Sequence, residues 1–422
     1  MRRLLPALLF CALCVCPSLN DAAEPETTWG RFRGDNAVGY VGDCQVTLPW
    51  DESAVSWTVD LPGKGNGSPV LFGNRLFVMS GDPESAERFL LAIDFKTGKE
   101  LWRKSFSSST YRFHKRSSYA SSTPCVDAER VYFTWATPDE VSMMAVTHDG
   151  EEVWSLGKEQ LGPFVSQHGY GASPTIIGDK LLLFNSQQAD QLPPEATPGQ
   201  SRVMAFEPAT GKLIWETPRT ATRACYGAAT YYRDLMGREL VLFANTGDGI
   251  FALDLSNGEP VWNNKVFGKR SVSCPIVTHG LAIGTEGSGG GGNVLWAVDL
   301  EGEHEVKFSI KRAAPYVPTP VVKDNLLFLW GDTGIVSCVQ LPTGETLWSK
   351  RIGGSVSSSP VIAGDHLVGI AEDGTLTVLK AAAEFENLGS IALNDTTRAT
   401  PLVTKDSIVI RTDSKLIRVC GE

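Results

Sequence analysis

The sequence predicts an all-β fold: an eight-bladed β-propeller of four-stranded antiparallel blades, closed by an N-terminal strand that completes the last blade. Three observations carry this. The first is a recurring strand–turn–strand device, Ala92-x-Asp94-x-x-Thr97-Gly98-x-x-x-Trp102. It returns at Ala205–Trp215, Ala252–Trp262 and Cys338–Trp348, one residue shorter at Ala145–Trp154, and decayed at Ala297–Phe308. The second is a Ser/Thr-Pro step followed by a short apolar run, a polar turn and an apolar strand. Its eight copies begin at Ser68, Thr123, Ser173, Ala228, Cys274, Thr319, Ser359 and Thr400, with Pro absent from the Ala228 copy. The third is a mismatch at the ends: the eighth unit stops after Ile417-Arg-Val-Cys420, while an unpartnered Trp strand lies at Ser53–Asp60. Self-similarity at a period of 40 to 60 residues signals a repeat architecture, and four short strands per repeat signal a propeller blade.

In chain order, residues 1–23 read as a secretory signal peptide: Arg2-Arg3, then an apolar run, then small residues up to Ala22-Ala23. That run is too short to span a bilayer. Cys11, Cys14 and Cys16 permit a lipoprotein reading, against which stand the bulky residues before them. Residues 24–52 lack strand alternation and read as an irregular N-terminal arm. Residues 53–422 form the propeller. Within each unit, strand A starts at the Ser/Thr-Pro, where proline removes no ladder donor. B is the apolar strand, C ends near Ala-x-Asp, and D carries the Trp. The turn glycine supplies a positive φ without steric cost.

The Trp side chains, Trp57, Trp102, Trp154, Trp215, Trp262 and Trp348, are expected to wedge between blades. A buried aromatic ring removes roughly 150–250 Å² from water, worth on the order of 4–6 kcal/mol as an upper bound. Closing the ring also hides two sheet edges that would otherwise invite aggregation.

The net charge of −10 argues against general nucleic-acid affinity, which needs a basic footprint. No later stretch is long and apolar enough to cross a membrane, so an exported, periplasmic or envelope-associated soluble monomer is expected. Beyond the signal lie Cys44, Cys125, Cys225, Cys274, Cys338 and Cys420. An even number in an exported chain permits disulfides and equally permits buried thiols.

The Ala-x-Asp-x-x-Thr-Gly-x-x-x-Trp motif, intact at Ala92, Asp94, Thr97, Gly98 and Trp102, resembles the tryptophan-docking motif of the PQQ-like (quinoprotein-like) β-propellers, exported bacterial members among them. The resemblance covers about residues 53 to 420, and Trp29-x-x-Phe32-Arg33-Gly34 is similar to a segment that begins many exported proteins of that group. It implies either a scaffold, as in the propeller lipoprotein of the outer-membrane-protein assembly machine, or a PQQ-dependent alcohol or sugar dehydrogenase. Dehydrogenases of this fold are longer and carry an adjacent-cysteine disulfide and a Ca²⁺ site with a catalytic Asp. This sequence has no Cys-Cys pair and nothing matching the calcium or catalytic positions. No cofactor, no metal and no catalytic residue is therefore expected; PQQ with calcium belongs to the alternative alone.

The D-to-A connectors and B–C loops share one face. That rim is basic and aromatic on an acidic chain: Lys64 and Asn66; Arg112, His114, Lys115, Arg116 and Tyr119; Gln167, His168 and Tyr170; Arg219, Arg223 and Tyr226; Lys269 and Arg270; Lys311, Arg312 and Tyr316; Arg398. Focused positive potential attracts anions. The expectation is a small anionic ligand or a protein partner bound at the channel mouth by Arg112, His114, Arg116, Tyr119, His168, Tyr170, Arg223, Tyr226, Lys269, Arg270, Tyr316 and Arg398. The polar, Pro-rich insertion 186–200 belongs to the same face and reads as an extended surface loop.

Other motifs fail on context. Gly287-Ser-Gly289-Gly-Gly-Gly292 leads into a strand, so it is a hairpin loop and no dinucleotide cradle. The six histidines show no metal-ligand spacing. Asp94, Asp254 and Asp299 are accounted for by their turns.

Overall fold

The computed structural model describes residues 27–192, 194 and 197–421, and the proposed signal peptide lies outside them. Eight four-stranded antiparallel sheets make a ring. Blade 1 is Val70–Phe72, Arg75–Gly81, Arg88–Asp94 and Glu100–Phe106, strands A to D from the channel outward. Blades 2 to 7 follow over 125–156, 175–219, 230–264, 276–310, 321–351 and 361–392. Blade 8 takes Leu402–Val403, Ser407–Arg411 and Lys415–Cys420 from the C-terminal end, and Val55–Asp60 as strand D. Thr58 pairs with Ile417 and Asp60 with Lys415, so the ring closes by antiparallel pairing of the two ends of the chain.

The apolar cores sit in the seams between blades. Leu181, Leu183 and Phe206 of blade 3 pack with Tyr132, Met143 and Ala145 of blade 2, and the other seams repeat the arrangement. At the outer end of seven of the eight seams stands an aromatic ring from strand D. In six of them it is opposed in register by the small residue of Ala-x-Asp or its Cys338 equivalent, as in Ala92↔Trp102, with a bulge one residue on, while Trp57 stands opposite Arg418. The ring lies on the C–D turn of the next blade. Indole N–H groups donate to the turn carbonyls of Phe95 (from Trp57, 2.9 Å), His148 (from Trp102, 2.9 Å), Pro208 (from Trp154, 2.9 Å), Leu255 (from Trp215, 3.1 Å) and Ala382 (from Trp348, 3.2 Å). Trp262 stacks on His304 with centroids 4.4 Å apart, and Phe308 takes the place of Trp against Gly344. The turn glycine is required twice over. Gly98 has φ +73°, and a Cβ there would lie 2.7 Å from the Trp57 ring.

The inner ends of the blades are linked by the Ser/Thr-Pro steps. The backbone N–H of Ser68 donates to Thr123 Oγ1 (2.9 Å), Thr123 to Ser173 Oγ (3.0 Å), Cys274 to Thr319 Oγ1 (3.0 Å) and Thr319 to Ser359 Oγ (2.9 Å). Ser359 donates to Thr400 Oγ1 (2.9 Å), and Thr400 back to Ser68 Oγ (3.2 Å). Ala228 N–H meets the Cys274 Sγ (3.2 Å). Ala228 itself offers no hydroxyl to Ser173, and there the belt skips a link.

The N-terminal arm is more ordered than its sequence pattern suggests. Thr28–Trp29 pairs antiparallel with strand A of blade 1, and Tyr40–Val41 pairs parallel with strand A of blade 7. Thr27 O accepts from Gly73 N–H in an A–B turn, so the arm enters the channel from the face of the A–B and C–D turns and returns to it. Between the two pairings it plugs the channel. Arg33, 1% exposed, donates to the carbonyls of Pro360 (2.6 Å) and Pro320 (2.9 Å), and the buried Arg31 donates to Ala229 O. Phe32 and Ala37 pack on Ala228 and Cys274. Further on, Val46 and Leu48 are buried between blades 7 and 8. The arm reads as irregular because each paired segment is two residues long, too short for alternation to register.

The six cysteines of the described chain are free thiols, and Cys125, Cys225, Cys274 and Cys338 are buried. Among the described residues no helix is long and apolar enough to cross a membrane.

Candidate functional site

The D-to-A connectors share one face with the B–C loops: Lys64 bridges to Gly81, and Arg270 to Gly287. On that face the channel opens into a cavity of about 360 Å³. Phe32 of the arm closes it from below, so it is a blind pocket and not a through-channel.

Nine of the twelve expected mouth residues line it: His114, Arg116, His168, Tyr170, Arg223, Tyr226, Arg270, Tyr316 and Arg398. Three do not. Arg112 is exposed on its connector. Tyr119 is buried under the Arg88 guanidinium (4.5 Å) and donates from its hydroxyl to Tyr111 O (3.2 Å). Lys269 is tied by Nζ to the carbonyls of Gly291 (3.0 Å) and Gly292 (2.8 Å). Two more rim cations are taken up by neighbours, Lys64 by Asp413 (3.3 Å) and Arg219 by the buried Asp248 (2.7 Å).

Four guanidinium groups line the pocket, and no carboxylate does among the described residues. Glu372 stands behind it, 3.4 Å from Arg116 Nε and 3.0 Å from Arg398 Nη2, and also accepts from Ser357 Oγ (2.6 Å). Asp190 stands 3.7 Å from Arg223 Nε. Among the described residues Arg270, 5% exposed, has neutral side-chain partners: His168 Nε2 at 3.3 Å and Gln188 Oε1 at 3.4 Å. Since His168 Nε2 receives that bond, its proton sits on Nδ1. Burial, reinforced by Arg270, His114 and Arg223, pushes His168 down to about 4, so the ring is neutral near pH 7. Burial and then the surrounding cations also lower His114, whose ring lies 5.2 Å from that of His168. Asp332, raised by burial, accepts the amides of Tyr316 (2.6 Å) and Val317 (3.1 Å).

Gln188 corrects one expectation. The base of the insertion 186–200 is no free loop: Ser186, Gln187 and Gln188 are buried. Gln187 accepts Val165 N–H (3.2 Å), because its polar side chain is needed to satisfy a buried amide. Phe32, Gln188 and Glu372 were not legible as site residues. The only signal for Phe32 was an aromatic in an arm without periodicity.

The donor set bears on the cofactor question. The carboxylates around the pocket are engaged, Glu372 by two arginines, Asp190 by Arg223 and Asp332 by two amides, and no group of three His, Cys, Asp or Glu residues among those described is placed to hold a cation. The residues present suit an anion and do not fit a calcium ion.

A closed ring of docked blades around an arginine-lined pocket has the architecture of a quinoprotein-like propeller. The chain belongs to the family described as outer membrane protein assembly factor BamB, whose profile matches residues 50–307 and 288–419. It is similar to the outer membrane protein assembly factor BamB of Burkholderia pseudomallei (strain K96243), 23% identical over 375 residues, 75% of this chain and 85% of that protein. The match to the Yersinia pestis protein of the same name, also 23% identical, takes in 42% of this chain and about half (49%) of the relative's length. Among solved structures, BamB from Moraxella catarrhalis superimposes with TM-score 0.62 over 86% of this chain and 99% of that one at 14% identity. A europium-containing methanol dehydrogenase does so with TM-score 0.67 over 93% and 98% at 11% identity, a likeness of fold.

Proposed function

We propose that this chain is an exported, non-catalytic propeller that serves outer-membrane protein assembly from the periplasmic side. In this reading it holds a partner protein on its pocket face, where Arg116, Arg223, Arg270 and Arg398 receive an anionic group. The observation that carries the reading is the family match across nearly the whole propeller. The basic pocket supports the anionic part. The proposal includes a leader over residues 1–23, a monomeric propeller, and function without PQQ or calcium.

The test is affinity capture from the cell envelope with a photo-cross-linker at Arg223. The expected result is one reproducible protein partner, lost on charge reversal at Arg116, Arg223 and Arg270. Capture unaffected by those reversals would move the partner to another face. A second reading, a quinoprotein dehydrogenase, is favoured only by the fold likeness to methanol dehydrogenase. Protein mixed with PQQ and Ca²⁺ is expected to reduce no dye in the presence of alcohols, and alcohol-dependent dye reduction would replace the scaffold reading.

A further inference from the structure

The pocket's charges do not balance. Four guanidinium groups line it, while Glu372 and Asp190 are the only carboxylates within salt-bridge distance of them among the described residues, and Asp332, held by two backbone amides, stands further back. Arg270 is the sharpest case, nine-tenths buried and without a carboxylate partner among the described residues. Among the described residues the unpartnered groups of the lining are mostly donors, the Tyr170 hydroxyl being the one that can also accept. Arg270 Nε–H, Arg398 Nε–H and His168 Nδ1–H are buried donors without acceptors. A buried donor left unpaired costs about 1–3 kcal/mol, so such a set is normally completed by something that accepts. Guanidinium forks match the oxygens of carboxylates and phosphates, and a phosphomonoester concentrates close to two charges and three acceptor oxygens on one centre. Phe32, Tyr226 and Tyr316 add aromatic surface to the floor and wall.

We infer that the pocket binds a compact dianion, a phosphomonoester group carried on a flat or apolar body. This deepens the reading of the pocket face given above and rests on it. Neutral His168 contributes a donor without adding charge, and the Glu372 carboxylate holds Arg116 and Arg398 in place while offsetting part of their charge.

Calorimetric titration of the full chain at pH 7 with phenyl phosphate, inorganic phosphate and benzoate tests this. Phenyl phosphate is expected to bind at least tenfold more tightly than benzoate, and more tightly than inorganic phosphate. Arg270→Gln should weaken phenyl phosphate tenfold or more. Glu372→Gln should tighten it severalfold, a sign that general damage to the fold does not produce. Arg223→Gln, at a partly exposed position, serves if Arg270→Gln fails to fold. Competition by phosphatidic acid in phosphatidylcholine vesicles would identify a lipid as carrier, and its absence a soluble one. Equal binding of benzoate and phenyl phosphate, no saturable phosphate binding, or weakening by Glu372→Gln would overturn the inference. Loss of dianion binding with envelope capture intact sinks this inference alone; loss of capture with dianion binding intact sinks the partner reading alone.

Discussion

The outer and inner rims of the ring are built by different chemistry and fail once each, at different places. At the outer rim an aromatic from strand D docks on the next blade in seven seams. In the eighth, between blades 7 and 8, Gly389 stands opposite Val378 where the Trp would be, and Pro49 lies against it. At the inner rim a backbone N–H meets the next blade's side chain at seven steps. The belt skips between Ser173 and Ala228. The same N-terminal arm fills both gaps. Val46, Leu48 and Pro49 occupy the outer one, and Phe32 and Ala37 cover Ala228 and Cys274 at the inner one. The arm is therefore a structural part of the ring. A repeat that looks imperfect by itself is complete once the non-repeated segment is added.

The comparison is broken most severely by beginning the chain at residue 53. Both gaps then open and the plug is lost, so thermal unfolding of any soluble product should show the largest fall of all variants. A truncated protein with the full-length melting temperature would show that the arm only decorates the ring. Next come single truncations at the outer rim. Trp102→Ala removes a docked ring and Leu48→Ala removes its counterpart from the arm. Each is expected to cost about 2–5 kcal/mol by denaturant unfolding, and the two should add because they lie in separate seams. A Leu48→Ala effect below about 0.5 kcal/mol would separate the arm from the docking system.

Smaller effects belong to the inner rim. Ser359→Ala deletes the acceptor for Thr319 N–H and should cost on the order of 1 kcal/mol. Ala228→Ser offers Ser173 the missing acceptor. Because Phe32 already covers that site, the gain should stay below about 1 kcal/mol. A larger gain would mean that the skip is a plain defect. A separate, pH-dependent effect is the protonation of His168. Its folded value of about 4 lies below the ordinary 6.5, so between these values the unfolded chain binds the extra proton. Stability should fall as pH drops through that window, and His168→Gln should flatten the fall. An unchanged pH profile would place the acid sensitivity elsewhere.

The difference between the rims also explains what was legible in the sequence. Blade number, the turn device and the closing strand rest on local chemistry repeated many times, and the Ala92↔Trp102 register follows from it. The Ser/Thr-Pro steps were visible as strand starts, but their hydroxyl links join residues 40 to 55 apart, and 332 apart at the closure, and have no local signature. The arm was invisible for a related reason. Arg33 is buried by carbonyls of blades 6 and 7, and hydrophobic patterning would leave an arginine outside. At the pocket, connectors placed by topology brought nine residues together, while Tyr119 and Lys269 were diverted by Arg88 and the Gly291 loop.

The pairing of Val55–Asp60 with Lys415–Cys420 has a consequence for the order of events during synthesis. The strand that seals the molecule is made early and waits through most of translation for its partner. Until the final residues emerge, blade 8 cannot exist, the apolar seam faces at the lips of the incomplete ring stay uncovered, and Val55–Asp60 lacks its ladder partner. Such distant pairing makes folding slow and leaves the nascent chain open to misassociation. A chain that ends before Lys415 would thus carry blades that cannot lock.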